Sequence, residues 1–173
     1  MNRLFLLLLA VPGLAEWHDY FSTVAGCAAT LTGLLFVGVS ISLKIILAYP
    51  QLPNRALESW ALLVTILLLA GFCLVPGQPL AVLGAEVLGL GLLSWGGATW
   101  LALSQRRLTP LEHHRAHWFN VAFTQVSTLP YLVAGSSLLL GRSSGLYWVM
   151  GAMMASFFKA SLDAWILLVE VNR

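Results

Sequence analysis

Lys159 and Asp163 offer the most chemistry, because both stand inside a stretch that reads as membrane-spanning. Gly145–Arg173 is apolar over the ~20 residues that a bilayer crossing takes. On an insertion scale a charge at mid-membrane costs roughly 2.5–3.5 kcal/mol, while each Leu, Ile, Phe or Val returns only about 0.3–0.6 kcal/mol. The apolar residues therefore roughly cancel two unpaired charges, and the segment needs partners. Lys159 and Asp163 share a helix face at this spacing. Lys before Asp is the weaker order against the helix dipole, so each charge is expected to look across to other helices. Residues at similar depth are Ser40, Glu58, Ser59, Asn120, Thr124 and Gln125. Three readings stay open: an ion-pair network that locks a bundle, a path for an ion or proton, and a docking site for a partner.

Two further acids fall in apolar stretches. Glu86 is expected to be protonated, to hydrogen-bond across a helix pair, or to form a proton or cation site near the outer mouth. Glu58, near the end of its segment, can join the network, reach solvent or pair with Arg55. Glu112, His113, His114 and His117 form E-H-H-x-x-H. His113 and His117 could share a face as zinc ligands do, but the order lacks the Glu between two His that serves as base, so a solvated loop and no metal is expected. There is no Gly-rich phosphate loop, no G-x-S-x-G and no Ser/His/Asp layout. No catalytic residue, no cofactor and no enzyme activity are expected.

The elements that must position these residues are membrane helices. Of 173 residues, 59% are hydrophobic and only 9% charged, against ~25% charged in a soluble domain. An all-α, polytopic membrane protein follows, in contact with membrane lipid. The net charge of +2 is too small to suggest nucleic-acid binding. Five spans are expected, at about 21–47, 55–75, 80–103, 118–140 and 145–171, within one helical domain over 16–173. Residues 1–15 have the layout of a signal peptide, with Arg3 before a short apolar run and Ala15 after Pro12-Gly13; an apolar helix at the interface is the alternative. Prolines at 50 and 53 are expected to end the first span, and Pro130 to kink the fourth. Cys27 and Cys73 read as small apolar core residues.

Small residues at helical spacing mark the packing faces. Ala29-x-x-x-Gly33 lets another helix approach the first span, and Ala152, Ser156, Ala160 and Ala164 form a stripe beside Lys159 on the last. The third span holds Gly84, Gly89, Gly91, Gly96 and Gly97, tolerated where close packing repays them.

Lys44, Arg55, Arg106, Arg107, Arg115 and Arg173 collect on one side, against Arg3 and Arg142 on the other. The basic side is expected to be cytoplasmic, with the N-terminus outside and the C-terminus inside the cell membrane. Trp17 and Trp148 then fall in the outer belt, and Trp60, Trp100, Trp118 and Trp165 in the inner one. No internal repeat argues for an inverted-repeat transporter.

Leu31-Thr32-Gly33-Leu34-Leu35-Phe36-Val37 with Ser40-Ile41-Ser42-Leu43, then Leu52-Pro53-x-Arg55-Ala56, then Val75-Pro76-Gly77-Gln78, carry a resemblance. Over Glu16–Glu86 the chain resembles a group of small, mostly uncharacterised bacterial integral membrane proteins, some of them labelled modulators of the FtsH membrane protease. The resemblance implies an inner-membrane location and a regulatory role, and it carries over no catalytic residues. The expected function is packing, with itself as a homo-oligomer or with another membrane protein. The alternative is an oligomeric ion or proton channel using Lys159, Asp163 and Glu86.

Overall fold

A computed structural model describes residues 17–49, 52–106 and 114–171, and every regular element among them is helical. The described residues form six helices: α1 His18–Ile41, α2 Leu43–Ala48, α3 Leu52–Cys73, α4 Leu80–Arg106, α5 His114–Leu139 and α6 Gly145–Val171. The N-terminal segment 1–15 and residues 107–113 of the expected 104–117 loop lie outside the described residues; the ends of that loop are helical instead, closing α4 at Arg106 and opening α5 at His114. Three helices are both long and apolar enough to cross a membrane: His18–Ile41, Leu52–Cys73 and Leu80–Ser104. α5 and α6 have comparable lengths of 26 and 27 residues but are not among these three.

Local sequence explains most boundaries. The expected first span is divided at Ser42, whose backbone (φ −97°, ψ 11°) leaves the helical range while its N–H still reaches Gly38 O at 3.2 Å. Gly38 one turn earlier weakens the helix there, and serine competes for backbone groups. Pro53 opens α3 instead of closing what precedes it, because a proline in a first helical turn has no ladder bond to lose. Pro130 lies within α5, which continues as one helix on both sides. α5 ends in a Schellman motif: Arg142 N–H donates to Ser137 O at 3.0 Å and Gly141 N–H to Leu138 O at 2.9 Å, with Gly141 at φ +72°.

Helices α3, α4, α5 and α6 form a ring in which each packs on its two neighbours, and α1 lies outside it, chiefly against α3. The core runs through the ring and includes Leu62, Ile66, Leu83, Val87, Leu138 and Val149. α1 contributes one narrow strip, Phe21, Val24 and Ala28. At its start Trp17 stacks edge-on against Tyr147 of α6, ring centroids 5.0 Å apart.

The closest approach is between α4 and α5. A Cβ on Gly84 would lie 2.5 Å from Leu139 N, and one on Gly135 2.6 Å from Leu88 N, so the two backbones touch where side chains are missing. Gly91 also faces α5, but Gly89, Gly96 and Gly97 meet open space, so only part of the glycine run of α4 is a packing face within the chain. Ala152, Ser156 and Ala160 are buried within the chain. Ala29 and Gly33 are exposed on the outer side of α1, with nothing within 4 Å of a Cβ at Gly33. Cys73 is buried, but Cys27 is exposed and is not a core residue, because it lies off the strip that α1 turns to α3.

Candidate functional site

The charged residues meet where α3, α5 and α6 pack together. α6 presents Ser156, Lys159 and Asp163 on one inward face, at spacings of three and four. α5 answers with Asn120, Thr124, Ser127, Thr128 and Tyr131, of which all but Asn120 are fully buried. α3 contributes Glu58, one turn after the half-buried Arg55.

Glu58 is the hub. Lys159 Nζ lies 3.2 Å from Glu58 Oε1 and also pairs with Asp163 on its own helix. The Thr124 hydroxyl donates to Glu58 Oε1 at 2.6 Å, and Asn120 Nδ2 stands 3.5 Å from Oε2. Lys159 is 1% exposed, and Glu58 and Asp163 are 3% exposed. Charges so deep in a protein need pairing and hydrogen bonds, and these have both. Arg55 adds a second positive charge within electrostatic reach of Asp163. Two acids and two bases thus balance.

Of the alternatives open to Glu58, it joins the network, the inward face of α3 turning it to Lys159. The charges of α6 depart from the expectation that each looks across to other helices. Lys159 is bonded along its own helix and across to α3 at once, while Asp163 has Lys159 as its partner. Gln125 does not join. It accepts from Trp95 Nε1 at 2.5 Å and donates to Thr99 Oγ1 at 3.0 Å, clamping α5 to α4 instead. That side of α5 points away from α3. Ser40 bonds back to Phe36 O and Ser59 to Arg55 O, each within its own helix. Glu86 stands apart as well, receiving a 2.6 Å hydrogen bond from Gln78 in the turn before its own helix rather than from a neighbouring helix.

A second polar layer lies next to the charges. Tyr131 OH donates to Ser156 Oγ at 3.1 Å, and Ser156 Oγ reaches Ser127 O at 3.2 Å. Tyr131 is the largest fully buried side chain. Its place on the same face as Thr124 and Thr128, one and two turns on, is a signal that the sequence carries. Tyr20 of α1 lies within electrostatic reach of Tyr131 and Cys73, and its buried hydroxyl has no hydrogen-bond partner among the described residues.

Among the described residues no group of three His, Cys, Asp or Glu side chains could hold a metal ion. Glu112 and His113 of the histidine motif lie outside the described residues. No protein-family model, curated protein or solved structure matches the chain.

Proposed function

We propose that the protein is a five-span protein of the bacterial cell membrane that works without catalysis, by packing the outer face of α1 against another membrane helix, that of a second copy. The carrying observation is the contrast between the two sides of α1. Only 11% of its most apolar window is buried, against 56% for α3. The uncovered side carries Ser22, Gly26, Ala29, Gly33, Phe36 and Ser40, all exposed and alternately four and three residues apart. That spacing is the seam of a left-handed helix pair, and small residues on it let backbones come close.

Five spans are supported by the lengths of α5 and α6, roughly 40 Å each at 1.5 Å per residue, and by the burial of their polar side chains inside the ring rather than toward lipid. The Lys and Arg asymmetry supports an outer N-terminus and a cytoplasmic C-terminus. The resemblance over 16–86 supports a regulatory role toward a membrane partner. A channel on an oligomer axis has less support, since Lys159 and Asp163 face the inside of a single chain.

Cross-linking in membranes tests the seam. In a chain lacking both native cysteines, Ala29→Cys is expected to oxidise to a species of twice the chain mass, and Leu93→Cys, on the 74% exposed side chain of α4, is not. Adding Gly33→Leu should suppress the cross-link and leave the unfolding temperature unchanged. Equal cross-linking at the two positions would remove the seam.

A further inference from the structure

α1 and α6 meet at one end and part toward the other. At the start of α1 the Trp17 ring rests edge-on against Tyr147, centroids 5.0 Å apart. From there α1 leans on α3 rather than on α6, and a groove of about 720 Å³ opens between α1 and α6. Leu34, Gly38 and Ser42 form one wall, Ala160, Ser161 and Ala164 the other, and Leu63 of α3 the floor. Ile46 and Leu167 back its far end, where they pack with Leu52 and Ala56 of α3. The lining is apolar except for the two serine hydroxyls. At 1.5 Å per residue the groove begins at Leu31, about 21 Å along the chain from Trp17, and ends at Ile46, about 44 Å from it. A whole bilayer with its headgroups measures ~40–45 Å. The groove therefore covers one leaflet, from the middle of the bilayer to the inner headgroups.

We propose that this groove holds one acyl chain of an anionic phospholipid of the inner leaflet, with Lys44 at its headgroup. Size excludes a helix as the occupant: a cylinder ~10 Å across and as long as the groove takes about 1,800 Å³, more than twice the space present. An acyl chain is thinner, spans one leaflet and matches the apolar lining. Charge chooses the headgroup. Lys44 stands on α2 two residues before Ile46, exposed and without an ion pair among the described residues. The half-buried Arg55 directly precedes Ala56 at the same end. Basic residues at this level attract anionic lipid, each by about fivefold in affinity. The groove is separate from the outer seam of α1, because Gly38 is turned about 200° from the seam residue Ser40. The proposal rests on α1 and α6 crossing the bilayer side by side, and not on the seam.

The test is native mass spectrometry of the purified chain in detergent, titrated with phosphatidylglycerol or with phosphatidylcholine of the same acyl chains. One retained lipid per chain is expected, with phosphatidylglycerol favoured about fivefold. A Cβ on Gly38 meets open space, so Gly38→Leu fills the groove without a clash. It should abolish the retained lipid and leave the unfolding temperature in lipid-free detergent unchanged. Ser161→Leu, from the opposite wall, should do the same, while Gly96→Leu on α4, also facing open space, should retain lipid as the wild type does. Lys44→Gln should remove the preference for phosphatidylglycerol and keep the binding of phosphatidylcholine. Wild-type retention in both groove variants overturns the proposal. So does equal retention of the two lipids by the wild type, or a preference that survives Lys44→Gln. A two-copy particle that Gly38→Leu splits into single copies would put a second copy in the groove and likewise overturn it.

Discussion

Lys159→Met should cost more than Asp163→Leu, although sequence spacing presents the two as an equal pair. Lys159 holds two carboxylates, Glu58 at 3.2 Å and Asp163 on its own helix. Its loss strands both in a dry interior. Removing one partner of a buried pair costs about 3–5 kcal/mol, and two stranded acids put this variant toward the upper end. Arg55 offsets part of that from its half-buried place near Asp163. Asp163→Leu leaves the Lys159–Glu58 contact intact, with Thr124 still donating to Glu58 at 2.6 Å. Its cost should therefore be nearer the ~1–2 kcal/mol measured for polar contacts in membranes. At roughly 2–4 °C per kcal/mol for a chain of this length, the unfolding temperatures should fall by ~6–20 °C and ~2–8 °C. Replacing Lys159, Glu58 and Asp163 together by Met, Leu and Leu should recover much of the loss, since the one charge left in the cluster, Arg55, is only half-buried. Thermal melts of the purified variants in one detergent decide it. Equal losses in the two single variants, or a triple variant no more stable than Lys159→Met, would refute the shared role of Lys159.

The α4–α5 contact and the membrane orientation give two further tests. Gly135→Ala puts a methyl group 2.6 Å from the Leu88 backbone, which cannot step aside, and should cost about 1–3 kcal/mol in a melt, whereas Gly96→Ala, facing open space, should melt as the wild type does. In a chain lacking native cysteines, Ser143→Cys should react with an impermeant reagent on intact cells, and Gln105→Cys only after permeabilisation; the reverse pattern would invert the orientation.

Composition and hydropathy made the helical class legible, because the need to satisfy backbone groups in lipid leaves few alternatives. The depth of the polar residues was legible too: Glu58, Asn120 and Thr124 were named as partners of Lys159 from depth alone, and all three meet at the cluster. Rotation about the helix axis was not. Depth places Gln125 beside Thr124, yet a single residue turns a helix by about 100°, from 3.6 residues per turn, and that step sends Gln125 to Trp95 and Thr99 on α4. The same ambiguity governs small residues. Gly33 and Gly84 both read as packing positions, but Gly84 touches a backbone within the chain and Gly33 touches nothing in it. A membrane helix offers no polar face to mark its outside, since lipid and core are both apolar. On α1 the polarity that would tell in from out is therefore missing, and the two faces separate only once α3 is in place. Phe21 and Val24 are buried on the inner strip of α1, and a row of small residues, Ser22, Gly26, Ala29, Gly33 and Ser40, broken only by Phe36, remains outside. The stretch of that row from Ser22 to Gly33, poor in side-chain volume, gains little dispersion from fluid lipid tails, but it admits another helix to backbone contact. The burial pattern of α1 therefore favours a helix as the occupant of its outer seam.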